Sequence, residues 1–309
     1  MDPLGGAELQ EALITNKLDR DLLKNKNLIL SVCEPALLKK DKINIVWQQL
    51  SYDQTNVQNM RDRKFVDEVD WFVYNSHWCF NEFRKRFRIP EYKSKVIRNC
   101  IEPFPHNIKK NNKQLNLVYT STPWRGLAVL IRVIEELNTM REDFHVDIFS
   151  STKIYGDNFA KKIKNQYDIL FDKCKELPNV TYHGYASNDK VRDTLAKSHI
   201  FAYPCIFEET SCIAAIEALA AGCKVVTTNY GALPETCGGF ARYVEFEPNA
   251  GRLIESYTQA LNQEMNKFGG EQNQQMLLDQ INHYNTTWSV NQRIKEWEAF
   301  LDGADANTA

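Results

Sequence analysis

Short apolar runs recur along the chain, each followed by a stretch with helical spacing. In the first third the strand-like runs are Leu28–Val32, Ile43–Trp47, Trp71–Tyr74 and Lys95–Arg98. Further on they are Leu115–Tyr119, His145–Phe149, Val180–His183, Ile200–Tyr203, Val225–Thr228 and Tyr243–Phe246. Met1 to Glu8 open into a helical pattern that runs to about Lys17, and further helical patterns, notably Leu127–Met140 and Asn158–Lys175, lie between the strands. Strands alternating with helices predict parallel sheets covered by helices. Pro103 to Lys113 is polar and reads as a linker with solvated lysines, which divides the α/β fold in two. The boundaries are 1–104, a linker at 105–113, a second domain at 114–285, a helix at 286–302 and a frayed tail at 303–309. The stretch Trp288–Leu301 is amphipathic, and a helix that packs on its own domain is its plain reading.

The densest signal runs from Pro204 to Gly222. The apolar run His199–Tyr203 stops at Pro204, and a polar turn then carries Glu208, Glu209, Thr210 and Ser211. A compact helix follows, with Ile213, Ile216, Leu219 and Ala220 on one face and Gly222 at its end. Ser211 is the expected N-cap, which would leave the amides of Cys212, Ile213 and Ala214 open to an anion or a hydroxyl. Glu209 sits in the turn and Glu217 in the helix.

Composition narrows the function classes. The chain has 309 residues, 43% hydrophobic and 25% charged, with a net charge of −2. That balance argues against a nucleic-acid binder or a polybasic membrane anchor. No apolar run reaches the ~20 residues that span a bilayer. Eight cysteines occur without C-x-x-C spacing, which favours buried thiols in a reducing compartment over disulfides or zinc. Cytoplasm is the expected location, with peripheral contact at a membrane surface left open. Asp19-Arg-Asp21 is the one Asp-x-Asp, but it stands in a polar stretch after a helix and reads as solvated surface. There is no G-x-G-x-x-G, so a dinucleotide oxidoreductase is disfavoured.

Glu209-Thr-Ser-Cys-Ile-Ala-Ala-Ile-Glu217-Ala-Leu-Ala-Ala-Gly222-Cys-Lys-Val-Val resembles the signature of retaining GT-B glycosyltransferases, the GT4-like (group 1) family. Thr210 and Cys212 stand where that family has glycines, and Lys224 where it has proline. Other segments resemble it in the same order. Gly5-Gly6-Ala-Glu8 is similar to its first glycine loop, or is a plain turn before a helix. Asp70-Trp-Phe-Val-Tyr-Asn75-Ser76 and Val96-Ile-Arg-Asn99 match strand ends near its hinge. Asn75 and Ser76 then border a ligand, or Ser76 caps the next helix. Tyr119-Thr-Ser-Thr-Pro-Trp-Arg125-Gly126 matches its phosphate-binding turn, with Tyr119 in place of one of two basic residues.

The resemblance implies two Rossmann-like domains facing across a cleft, an abbreviated N-terminal one for the acceptor and a C-terminal one for a nucleotide sugar. It also implies that the last helix, Trp288–Leu301, crosses back to the first domain, the alternative to packing on its own. The donor, a UDP-sugar first among candidates, would meet Gly5, Gly6, Arg125, Gly126, Glu209, Thr210, Ser211, Cys212, Ile213 and Glu217. Glu217 would take the ribose hydroxyls and Glu209 the transferred sugar. His183 and Gly184 would lie on the base side, unless His183 is structural. Where many relatives carry a histidine this chain has Trp47 to Gln54, so Asp53 becomes the acceptor-side candidate, or else caps a turn. A glycan, a lipid-linked glycan or another hydroxyl would accept the sugar, with no cofactor and no metal. A non-catalytic or partner-dependent GT-B protein and a nucleotide-sugar epimerase are the alternatives. The sequence leaves the oligomeric state open.

Overall fold

A computed structural model of the protein describes residues 5–105, 108, 110–111, 113–156, 163, 166–269 and 274–306. They fall into two compact units. The first holds the described residues of 6–102, 208–213 and 286 onward, and the second those of 103–207 and 214–285, together with Gly5. The chain therefore leaves the first unit and returns to it twice.

The first unit is built on a four-stranded parallel sheet of β1 (Lys26–Leu30), β2 (Ile43–Gln48), β3 (Trp71–Tyr74) and β4 (Ser94–Val96), in the order β1-β2-β3-β4. Strand periodicity decides which side chains go to which face. Ile45, Trp47 and Val73 enter a core with Ile14, Val290, Trp297, Phe300 and Leu301. Their alternates Val46, Phe72 and Tyr74 enter a second core with Phe65, Phe83 and Phe87. Helix α1 (Gly6–Thr15) supplies Ile14 to the first face. Helices α2 (Arg63–Glu68) and α3 (His77–Phe87) cover the other. The expected β1 run to Val32 stops at Leu30, because Ser31 turns to φ 60°. Ser76 Oγ accepts from the Cys79 amide at 2.9 Å and caps α3.

The sheet of the second unit has six parallel strands. They are β5 (Leu115–Thr120), β6 (Phe144–Phe149), β7 (Val180–Tyr182), β8 (Ile200–Tyr203), β9 (Lys224–Thr228) and β10 (Ala241–Val244). Their order, β10-β9-β8-β5-β6-β7, is that of a doubly wound Rossmann sheet. β8 is buried at every residue, as a central parallel strand must be when helices cover both faces. Around the sheet lie α4 (Leu127–Asn138), α5 (Asp168–Glu176), α6 (Asn188–Leu195), α7 (Ile213–Ala220), α8 (Leu233–Cys237), α9 (Ala250–Met265) and α10 (Gln274–Thr287). β10 ends at Val244 rather than running to Phe246, since the Phe246 amide donates to the Asn229 side chain. Of the expected helix Asn158–Lys175, residues 157–162 and 164–165 lie outside the described residues, as do His106, Asn107, Lys109 and Asn112 of the linker.

The last helix, α11 (Val290–Ala306), belongs to the first unit, not to the sheet that precedes it. Trp297 packs edge-on against Trp47 at 4.9 Å between ring centroids, and Phe300 against Trp71 at 5.4 Å. The helix runs on through Gly303 to Ala306, so the frayed tail expected from 303 is corrected up to that residue, and 307–309 lie outside the described residues. The linker lysines are not all solvated either. Lys110 is half-buried and donates to the Ser198 carbonyl and, at 3.5 Å, to Cys223 Sγ. All eight cysteines are buried and none forms a disulfide.

Trp297→Ala removes a wholly buried ring, so it is expected to cost about 3–5 kcal/mol, read as a fall in the urea midpoint. His199 gives a second expectation. Burial, together with the charge of Lys110, pushes its imidazole down to about 4 from the ordinary 6.5. Between those values the unfolded chain binds the extra proton, so stability is present above 6.5 and is lost as pH falls toward 4. Allowing for solvent screening, the loss is about 1–2 kcal/mol. His199→Gln should flatten that part of the stability–pH curve.

Candidate functional site

In a doubly wound sheet the ligand crevice opens at the carboxyl ends of the strands, where the order reverses. Here that point lies between β5 and β8. Ser121 and Thr122 leave β5, Pro123–Arg125 make one tight turn, and Gly126 opens α4. Gly126 has φ 134°, and a Cβ there would stand 2.2 Å from the Pro204 carbonyl oxygen. The loop after β8 can press against this turn only because residue 126 has no side chain. Two contacts follow. The Ile206 amide donates to the Arg125 carbonyl at 3.2 Å, and the Arg125 guanidinium lies 4.4 Å from the Phe207 ring centroid.

Tyr119 does not replace the charge of the basic residue the resemblance implies. It is buried and its hydroxyl donates to the Thr122 carbonyl at 3.0 Å, which fastens the turn. Around this carboxyl edge the hydroxyls of Thr120, Thr122 and Ser150 are buried with no hydrogen-bond partner among the described residues. Orphaned hydroxyls at one sheet edge call for water or a ligand group nearby.

Glu217 stands on α7 and belongs to the second unit. Its Oε1 accepts from Arg192 Nη1 at 2.6 Å. Burial pushes the Glu217 carboxyl above its usual range, and the charge and hydrogen bond of Arg192 oppose that shift. His183 lies past β7. Its Nε2 pairs with Asp147 Oδ1 at 2.6 Å and its ring stacks on Phe149 at 4.2 Å, so packing and a carboxylate hold it in place. Gly184 follows with φ 63°.

The other expected residues, apart from Gly5, fall in the first unit. Glu209 is 3% exposed and buried with Thr210, Ser211 and Cys212. Thr210 explains why this loop packs on the first sheet. Its hydroxyl donates to the Gln49 carbonyl at 3.2 Å and accepts from Asn75 Nδ2 at 3.0 Å. Asn75 therefore braces the loop. Glu208 adds a tie, accepting from Tyr52 at 2.6 Å, and burial followed by this carboxylate pushes the Tyr52 phenol up to about 12. The expected N-cap at Ser211 is not made: its Oγ is buried and forms no hydrogen bond among the described residues. Gly6 starts α1 with room for a Cβ only 3.3 Å from Ile213 Cδ1, and Gly5 is buried just before it. Asp53 is exposed and accepts from Gln54 at 3.0 Å. Asp19 accepts from the Asp21 amide, and exposed Asp21 pairs with Lys24, which accounts for the Asp-x-Asp as turn and surface.

Sequence reasoning missed Arg192, Gln49 and Tyr52. No motif marks Arg192, and only the fold brings α6 beside α7. Tyr52 was within reach, because it neighbours Asp53 on the same strand-end loop.

The family described as glycosyl transferases group 1 matches residues 101–281, more than half of the chain. The chain belongs to this family. This group 1 protein is also 23% identical, over 70% of its length, to the lipopolysaccharide 1,2-N-acetylglucosaminetransferase of Salmonella typhimurium strain LT2, and the match spans 61% of that relative. Among solved structures it is similar to a glycosyltransferase from Rickettsia africae, with a TM-score of 0.66, 16% identity, and 97% of this chain and 81% of that one covered. It is similar too to the pneumococcal O-GlcNAc transferase GtfA solved with UDP and GlcNAc, with a TM-score of 0.66, 12% identity, and 97% and 60% covered. These likenesses fix the fold as two Rossmann-like α/β units of the GT-B kind. No helix among the described residues is long and apolar enough to cross a membrane.

The close approach at Gly126 predicts that Gly126→Ala, which combines a backbone collision with a strained φ, costs about 1–3 kcal/mol. It should lower the melting temperature, whereas Gly239→Ala, which adds a Cβ in open space, should not.

Proposed function

We propose that the protein is a retaining glycosyltransferase of the GT4-like type. It would move a sugar from a nucleotide sugar, a UDP-sugar first, to the hydroxyl of a glycan or lipid-linked glycan, without a metal ion. The observation that carries this reading is a coincidence of place. The group 1 match covers most of the unit whose strand-order reversal carries Arg125 and Gly126 and whose partly buried carboxylate, Glu217, is paired with Arg192. The UDP and GlcNAc bound by the pneumococcal neighbour and the sugar in the name of the Salmonella relative support the donor class.

In this reading the leaving diphosphate is met by Arg125, whose planar fork gives two hydrogen bonds to phosphate oxygens, and by the start of α4 after Gly126. Charge developing on the leaving group is stabilised by groups already in position, the largest contribution in most such reactions. Glu217 takes the ribose hydroxyls. Glu209, with Thr210, Ser211, Cys212 and Ile213, meets the transferred sugar, and the unpartnered Ser211 hydroxyl is a hydrogen-bonding group for it. Gly5 and Gly6 border the diphosphate. His183 and Gly184 stand toward the base, and Asp53 serves the acceptor hydroxyl as base. Retention proceeds by attack from the leaving-group side.

Melting curves with UDP, GDP, ADP and their sugar conjugates test this. At a hundredfold excess over Kd, a bound nucleotide adds about 2.7 kcal/mol, so one of the series should raise the wild-type melting temperature by several degrees. Glu217→Gln should lose most of that rise. The absence of a rise with every nucleotide would sink the reading. Turnover surviving a chelator would support metal independence.

A further inference from the structure

The carboxylate assigned to the ribose does not stand alone in the fold. Arg192, on α6, is fixed from several directions. Nη1 donates to Glu217 Oε1 at 2.6 Å, Nη2 donates to the Pro103 carbonyl at 3.2 Å, and the guanidinium lies 3.8 Å from the centroid of the Phe104 ring. Phe104 is fixed in turn, since its amide donates to Asn285 Oδ1 at 2.6 Å. Asn285 Nδ2 then donates to the carbonyl of Ala220, the last residue of the helix that carries Glu217, at 2.9 Å. The circuit closes on itself: carboxylate, guanidinium, aromatic ring, amide, and back to the helix of the carboxylate. Pro103 and Asn285 are also the residues at which the second unit begins and ends in the chain.

We propose that Arg192 is the positioning residue of the nucleotide site, holding Glu217 as an aimed carboxylate for a vicinal diol such as the ribose of a nucleoside diphosphate. The proposal rests on the reading of Glu217 given above. A carboxylate has about four lone-pair sites, and the single bond from Arg192 uses one. The rest are enough for two hydroxyl donors. Without the cation, burial favours the protonated acid, which offers a donor where two acceptors are needed. The guanidinium does what an ammonium does only in part, because the stack on Phe104 and the second bond to Pro103 need its plane and fork. Arg192 touches no substrate in this scheme and acts through Glu217.

Titration calorimetry with UDP, GDP and ADP, each beside its 2′,3′-dideoxy counterpart, tests the assignment on wild type, Arg192→Met and Arg192→Lys. The wild type should prefer a ribose form. Arg192→Met should bind that form about tenfold more weakly and the dideoxy form unchanged. Arg192→Lys should recover much of the loss. Arg192→Gln, which keeps a donor without the charge, takes the place of the methionine variant if that one does not fold. A merely structural arginine would weaken both forms alike, and this result, or unchanged affinity for the ribose form, overturns the proposal. A wild type that binds a nucleoside diphosphate but ignores its ribose hydroxyls removes Glu217 from the ribose and the proposal with it. A wild type that binds none of the three overturns the functional reading itself.

Discussion

The approach of two strand-end loops at Gly126 is the constraint on which the second unit's site depends. A doubly wound sheet makes a crevice where its strand order reverses, but the crevice is useful only if the flanking loops hold fixed positions. Here the loops after β5 and β8 meet so closely that a single methyl group would collide with the Pro204 carbonyl. Their closeness allows the bond from Ile206 to the Arg125 carbonyl, and that bond brings the Arg125 side chain over Phe207. An arginine with its ring partner and backbone settled loses less freedom when it meets a phosphate.

The partly buried ion pair of Glu217 and Arg192 has a different logic. A desolvated pair is weak evidence for stability, since the cost of removing both charges from water offsets their attraction. Its value lies in what it specifies. The guanidinium is held by a carbonyl and an aromatic ring as well as by the carboxylate, so the carboxylate has one preferred place and one charged neighbour. A solvated glutamate would bring more charge and less direction. That trade suits a binding residue better than a stabilising one.

Hydrophobic periodicity made most of the fold legible. Trp71–Tyr74 and Ile200–Tyr203 are strands at the bounds their patterns gave, because a run of apolar residues ended by Pro204 or by a polar turn has few other uses. Ends set by non-local bonds were not legible. β1 stops where Ser31 takes a left-handed turn, and β10 where Asn229 captures an amide. Position along the chain misled in the same way. Lys110 looked like one more solvated lysine, and its burial depends on a carbonyl and a thiol from distant segments. Of the candidate site, Glu217 and Arg125 stood out through their surroundings in sequence, whereas Arg192 becomes visible only once α6 and α7 are packed together. Ser211 shows the limit of local rules: it has the residue type and spacing of a cap, yet its hydroxyl makes no bond to the helix it precedes.

The departures from the family pattern gain a physical meaning from the same packing. Tyr119 stands where the resemblance implies a basic residue, and its buried hydroxyl donates to the Thr122 carbonyl in the turn that carries Arg125. Thr210 stands where the resemblance implies a glycine, and its hydroxyl ties the Glu209 loop to Gln49 and Asn75. Thr210 makes two such bonds and Tyr119 one, in buried surroundings where a bond left unmade costs about 1–3 kcal/mol. Both substitutions exchange a feature of the family for an internal brace on a segment of the candidate site. They argue for a site kept in order by different means, and so against using these two residues as evidence that catalysis was lost.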